Sequence, residues 1–158
     1  MLKKLIFSLA ALSVVLLSIT APSSVNAQSD PAQQCDAAID RATNVLVGSR
    51  HLWITDMKAR NAEGIYVNYP YEQPMILQIA IAGNAAPAVM ASPQLLTTVA
   101  RTITTDCSRV GLVSYALANT DWVVDLGMIG NRLQWFECVE ADRRRGSNPL
   151  LWGQTLCF

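Results

Sequence analysis

Few groups in this chain could carry chemistry. His51 is the sole histidine among the 158 residues, so only one imidazole is available as a base. It follows Ser49 and Arg50 and precedes Trp53 and Asp56. A hydrolase built on His51 would need a hydroxyl and a carboxylate meeting it in space, and no GxSxG-like elbow supplies the nucleophile locally. Ser114 and Asp125 are a second candidate pair, able to donate to and accept from a polar ligand if the fold sets them side by side. Arg143, Arg144 and Arg145 are three adjacent guanidiniums suited to a phosphate, a sulfate or an acidic polysaccharide, with Glu140 and Asp142 partly neutralising them. Tyr66, Tyr69 and Tyr71 flank Pro70 and could form an aromatic ridge for a partner or a sugar. Carboxylate pairs drawn from Asp125, Glu137 and Glu140 carry no argument for glycosidase chemistry, because twelve acidic residues offer such pairs in any fold. With no CxxC, Cys/His cluster, haem motif, calcium loop or glycine-rich phosphate loop, neither a metal nor a cofactor is expected.

The elements that would position these residues centre on residues 108–139. Three runs rich in β-branched and aromatic residues, 110–118, 122–129 and 133–139, are separated by Asn119-Thr120 and Gly130-Asn131, which suit two-residue hairpin turns. The second turn sets Met128 opposite Leu133, Leu126 opposite Trp135, and Trp122 opposite Val139. The first sets Tyr115 opposite Val124 and Val113 opposite Leu126. Strand side chains alternate, so both turns place the same residues on one apolar face. This register also makes Ser114 and Asp125 cross-strand neighbours on the opposite face. That face is too apolar to be bare, so a further element is expected to cover part of it.

Upstream, Asp30 and Pro31 form a cap-then-proline helix start, and Gly48 ends the helix. Its inner stripe reads Cys35, Ala38, Ile39, Ala42, Val45 and Leu46. Residues 51–57 and 65–69 read as short strands joined by the polar KARNAEG, and residues 75–82 as a buried strand. The GNAAPAVMASP segment reads as a loop. Ser92-Pro93 opens a second helix with Leu95, Leu96, Val99, Ile103 and Cys107 inward. Residues 149–158 read as a returning strand.

Composition bounds the rest. Lys3 and Lys4 precede an apolar run at residues 5–19, and Val25-Asn26-Ala27 offers small residues where a signal peptidase reads. Residues 1–27 are expected to be a cleaved signal peptide, residues 28–158 a single domain beginning at Gln28, and the product exported to the periplasm or outside the cell. Losing Lys3 and Lys4 leaves a net charge of about −2, which gives no general attraction to nucleic acid. No second apolar stretch is long enough to span a bilayer. All four cysteines lie in the exported part and read as two disulfides. Antiparallel helices on one sheet face favour Cys35–Cys107, which leaves Cys138–Cys157 to tie the meander to the C-terminal strand. The crossed pairings remain open.

The segments TTDC, SYALANTDW, WFECVEAD and WGQTLCF, spread over residues 88–158, resemble small exported cyanobacterial-type proteins of unassigned function. The resemblance implies no activity, substrate or catalytic residue. The reading is therefore an α+β domain: an antiparallel sheet of about five to seven strands including the C-terminal meander, two helices packed on one face, and two disulfides. The expected function is a non-enzymatic exported binding or interaction module, its partner an envelope or extracellular protein or polysaccharide. One alternative is a small hydrolase using His51. The other is anion or acidic-polysaccharide binding through Arg143 to Arg145.

Overall fold

The computed structural model describes residues 30–48, 50–140 and 149–157. Helix α1, Pro31–Val47, starts where Asp30 accepts a 3.0 Å hydrogen bond from the Ala32 amide. At its other end Arg50 donates to the Val45 carbonyl, satisfying a group the helix leaves unpaired. Ala38, Ala42 and Leu46 are buried, but Val45 is half exposed; the buried stripe is narrower than the sequence suggests because α1 rests mainly on another helix. That neighbour is α3, Pro93–Asp106, which buries Leu96, Val99, Ala100 and Ile103. The Cys35–Cys107 disulfide, with Cα atoms 4.5 Å apart, joins the start of α1 to the end of α3, and the Arg41–Asp106 ion pair lies at the same junction. A short helix, α2 (Ala86–Met90), occupies the segment expected to be a loop. Its Ala86, Val89 and Met90 have nothing polar to solvate and pack into the core.

The main sheet has five strands in the order β1 (Trp53–Asn61), β3 (Met75–Ala82), β4 (Val110–Leu117), β5 (Val123–Ile129) and β6 (Arg132–Trp135). All neighbours are antiparallel except β3 and β4, which run parallel because α2 and α3 form the crossover between them. The hairpin registers are as expected: Val113 faces Leu126, Tyr115 faces Val124, Leu126 faces Trp135 and Met128 faces Leu133. Gly130 takes φ +60°, as the second turn requires, and Asn119 takes φ +61° in the first. Leu77, Ile79, Ile81, Val113, Tyr115 and Leu126 fill the core under the helices. The buried Tyr115 hydroxyl donates to the Leu96 carbonyl at 3.0 Å, fastening α3 to β4.

Three expectations give way to tertiary pairing. β1 continues through the polar residues Lys58 to Asn61, because β3 offers eight residues of backbone for it to match. The third meander strand does not run to Val139. After Phe136 the chain turns over the other face of the sheet, so Val139 never reaches Trp122. β7 (Glu137–Glu140) then pairs in parallel with β9 (Gln154–Cys157), and β2 (Tyr66–Val67) pairs in parallel with β8 (Leu150–Leu151). The C-terminal run is thus two short strands broken at Gly153, φ +99°. Cys138–Cys157 ties β7 to β9 with Cα atoms 5.6 Å apart.

These two small ribbons are the covering layer expected over the second face. Tyr66, Phe136 and Trp152 meet there in three edge-to-face contacts, with centroids 5.1 to 5.8 Å apart, over Ile76 and Leu112. Such pairs add about 0.5–1.5 kcal/mol each beyond the area they bury. The Trp152 indole also donates to the Met128 carbonyl at 2.8 Å. Among the described residues, no helix is long and apolar enough to cross a membrane.

Candidate functional site

The face of the sheet away from the helices is set by strand register. Arg60, Ile76, Leu112 and Gly127 form one row across it, Lys58, Gln78, Ser114 and Asp125 the next, and Asp56, Ala80, Ala116 and Val123 a third. The first row lies under the aromatic cover. The second is a polar row crossing an otherwise apolar face. In the third, the two central side chains shrink to alanine and, among the described residues, the cover stops.

Asp125 is the chemically unusual member. Its side chain is buried, and Oδ2 accepts a 2.6 Å hydrogen bond from the Thr155 hydroxyl on β9. Oδ1 is also buried and has no well-directed partner. The Ser114 and Tyr66 hydroxyls stand close enough to bear on its ionisation without completing that bond. Burial raises the carboxyl above the usual carboxylate range, and Ser114, Thr155, the Arg60 charge and Tyr66 only partly offset it. Tyr66 is pushed up in turn, first by its own burial and then by the Asp125 charge. The cluster thus joins three layers of chain, from β2, from β4 and β5, and from β9, through one buried acid.

Beyond the cover, Ala80, Ala82, Ala116 and Ala118 floor a stretch of half-buried sheet. Trp53, opposite Ala82 on β1, borders it with its indole 58% exposed. On the far side a cleft of about 470 Å³ opens at the β4–β5 turn, lined by Thr120, Asp121, Trp122, Val123, Leu156 and Cys157. Trp122 is 41% exposed there. The floor therefore has the exposed Trp53 at one end and, beyond Val123, a cleft that Asp121 and Trp122 help to line at the other.

The sequence-derived candidates are scattered across this map. Ser114 and Asp125 are brought together as register neighbours. His51 is exposed in the turn before β1, three strands from Asp125, and no described side chain hydrogen-bonds its imidazole. Tyr66 is buried in the aromatic cover, whereas Tyr69 and Tyr71 pack against each other with centroids 5.3 Å apart. Tyr71 is exposed and lines a separate cavity of about 600 Å³ with Glu72, Gln73 and Asn131. Arg143, Arg144 and Arg145 lie outside the described residues. Among the described residues, no group of three or more His, Cys, Asp or Glu side chains is placed to hold a metal ion. Thr155, Gln78, Trp53 and the alanine floor were not singled out from sequence. The run of alternating alanines in MILQIAIA and SYALA was visible, but its meaning depends on β3 and β4 lying side by side. No protein-family model matches the chain, and neither a curated protein nor a solved structure is significantly similar to it.

Proposed function

We propose that this protein is an exported binding module that performs no catalysis, and that its ligand lies across the alanine floor between Trp53 and the Trp122 cleft. The observation that carries this reading is a floor that no described element covers. Ala80, Ala82, Ala116 and Ala118 leave a shallow, half-buried surface beside the buried Ser114 and Asp125, with the exposed Trp53 at one end and the cleft lined by Asp121, Trp122 and Val123 at the other. Flat-faced ligands with polar rims fit such a surface. The C–H edges of a sugar ring carry partial positive charge and stack on the negative face of an indole, while Asp121, Gln78 and Asp56 are placed to accept or donate at the ring hydroxyls. A polysaccharide of the cell envelope or its surroundings is the occupant this chemistry favours. Export is supported by the leader-like residues 1–27 and by two disulfides, which persist in oxidising compartments.

The test is co-sedimentation of the exported chain, identified by an N-terminus at Gln28, with insoluble peptidoglycan, chitin and cellulose. Retention on at least one of these is expected, with Trp53→Ala and Trp122→Ala each weakening it roughly tenfold or more. No retention on any of them, or retention indifferent to both substitutions, would reject the reading. The hydrolase alternative through His51 gains no support from the geometry around the imidazole.

A further inference from the structure

We propose that β1 is a seam for self-association, pairing antiparallel with β1 of a second copy about a two-fold axis at Met57. β1 is a terminal strand of the sheet, nine residues long, and among the described residues no strand pairs with its outer edge. Its side chains are exposed apart from Ile54, including Trp53 and Met57, which is 44% exposed directly opposite the fully buried Ile79. An edge of that length presents a row of unpaired amides and carbonyls, which is a template for another strand.

Geometry and charge select the occupant and its register. A two-fold axis perpendicular to the sheet keeps each face on its own side, so a residue of one copy can oppose only a residue of the other with the same facing. Asp56, Lys58 and Arg60 share the face away from the helices, and Met57 and Ala59 the other. Only registers centred on a residue are then allowed. Centring on Lys58 opposes Asp56 and Arg60 twice but sets the Lys58 ammonium against its own copy at the axis, and centring on Ala59 sets Lys58 against Arg60. Centring on Met57 sets Asp56 of each copy against Lys58 of the other, twice over, with no like charges opposed. The two methionines then meet on the helix side of the seam. Within one chain Asp56 and Lys58 pair at 2.6 Å with both side chains largely exposed, so the opposite charges lie together on the outer strand. A bulge between Ile54 and Asp56 blunts the first part of the strand, which keeps the seam short and the association weak. A strand from an unrelated protein would not be held to this self-complementary order.

The experiment is sedimentation equilibrium of the full exported chain, with both disulfides intact, across the micromolar-to-millimolar range. A monomer–dimer equilibrium that weakens in high salt is expected. Asp56→Lys and Lys58→Asp should each raise the dimer dissociation constant roughly tenfold or more, because each turns two attractive cross-strand pairs into two repulsive ones. The combined Asp56→Lys/Lys58→Asp chain restores opposite charges and should recover most of the lost affinity. All the substitutions are on the exposed edge, and unchanged melting temperatures would confirm that the fold is intact. A chain that is monomeric throughout, a dimer indifferent to either reversal, or a charge swap that fails to recover affinity would each overturn the proposal. The last result would specifically exclude the Met57 register, since a seam centred on Lys58 gains nothing from the swap.

Discussion

Thr155 donates a 2.6 Å hydrogen bond to Oδ2 of Asp125, while Oδ1 of the same carboxyl has no well-directed partner in a buried site. This one-sided contact links β9 to β5 and therefore links the covering layer to the main sheet. It also makes the fold depend on the protonation of a single acid.

Asp125→Asn is expected to stabilise the protein, by an amount that grows with pH. The folded-state pKa of Asp125 is raised, so the native chain holds this proton more tightly than the unfolded chain. Between the ordinary aspartate value of about 3.9 and the raised value, the native state binds more protons, and stability falls as pH rises. Asparagine keeps the acceptor for Thr155 and removes the titration. Melting temperatures of the two proteins should be similar near pH 3 and diverge in favour of the variant toward pH 8. A constant difference across that range would show that Asp125 does not titrate as described.

Gly127→Ala should destabilise the fold by about 1–3 kcal/mol, the range for overpacking a filled site. A Cβ on Gly127 would collide with the Phe136 ring, whose Cε1 and Cζ occupy that space over β5. Because Phe136 also meets Tyr66 and Trp152, the strain should pass to the whole aromatic cover. Chemical denaturation with near-ultraviolet circular dichroism reads both effects. An unperturbed aromatic signal with unchanged stability would contradict the packing.

The two disulfides should differ in weight. Cys35–Cys107 closes a sequence separation of 72 residues and Cys138–Cys157 one of 19. In the chain-entropy model these correspond to about 4 and about 3 kcal/mol of unfolded-state constraint. Replacing Cys35 and Cys107 together by alanine should therefore lower stability more than replacing Cys138 and Cys157. The second pair should instead loosen β9 selectively, raising amide exchange at Thr155 and Leu156. The reverse ranking, measured by urea denaturation, would count against both statements.

Much of the architecture was legible because it is local. The cap of α1, the proline start of α3, the two meander turns and the alternation that brings Ser114 to Asp125 depend on residues close in the chain or fixed by a short turn, although the Ser92 side chain makes no capping bond. Both cysteine pairings followed once the helices were set antiparallel on one face. The short helix α2 escaped because an alanine-rich segment has little amphipathic contrast, and its burial depends on β4 being beneath it.

By itself, then, the sequence determined the two long helices, the pairings next to both hairpin turns and the paired cysteines, since each follows from side-chain periodicity, turn chemistry or the even count of thiols. Only the tertiary structure decided that β3 and β4 run parallel, that the chain crosses over at Phe136, and that four alanines on neighbouring strands merge into one floor that no described element covers. Those outcomes depend on which distant strands become neighbours. A residue's local pattern fixes the direction of its side chain relative to its own strand, but not what lies across from it.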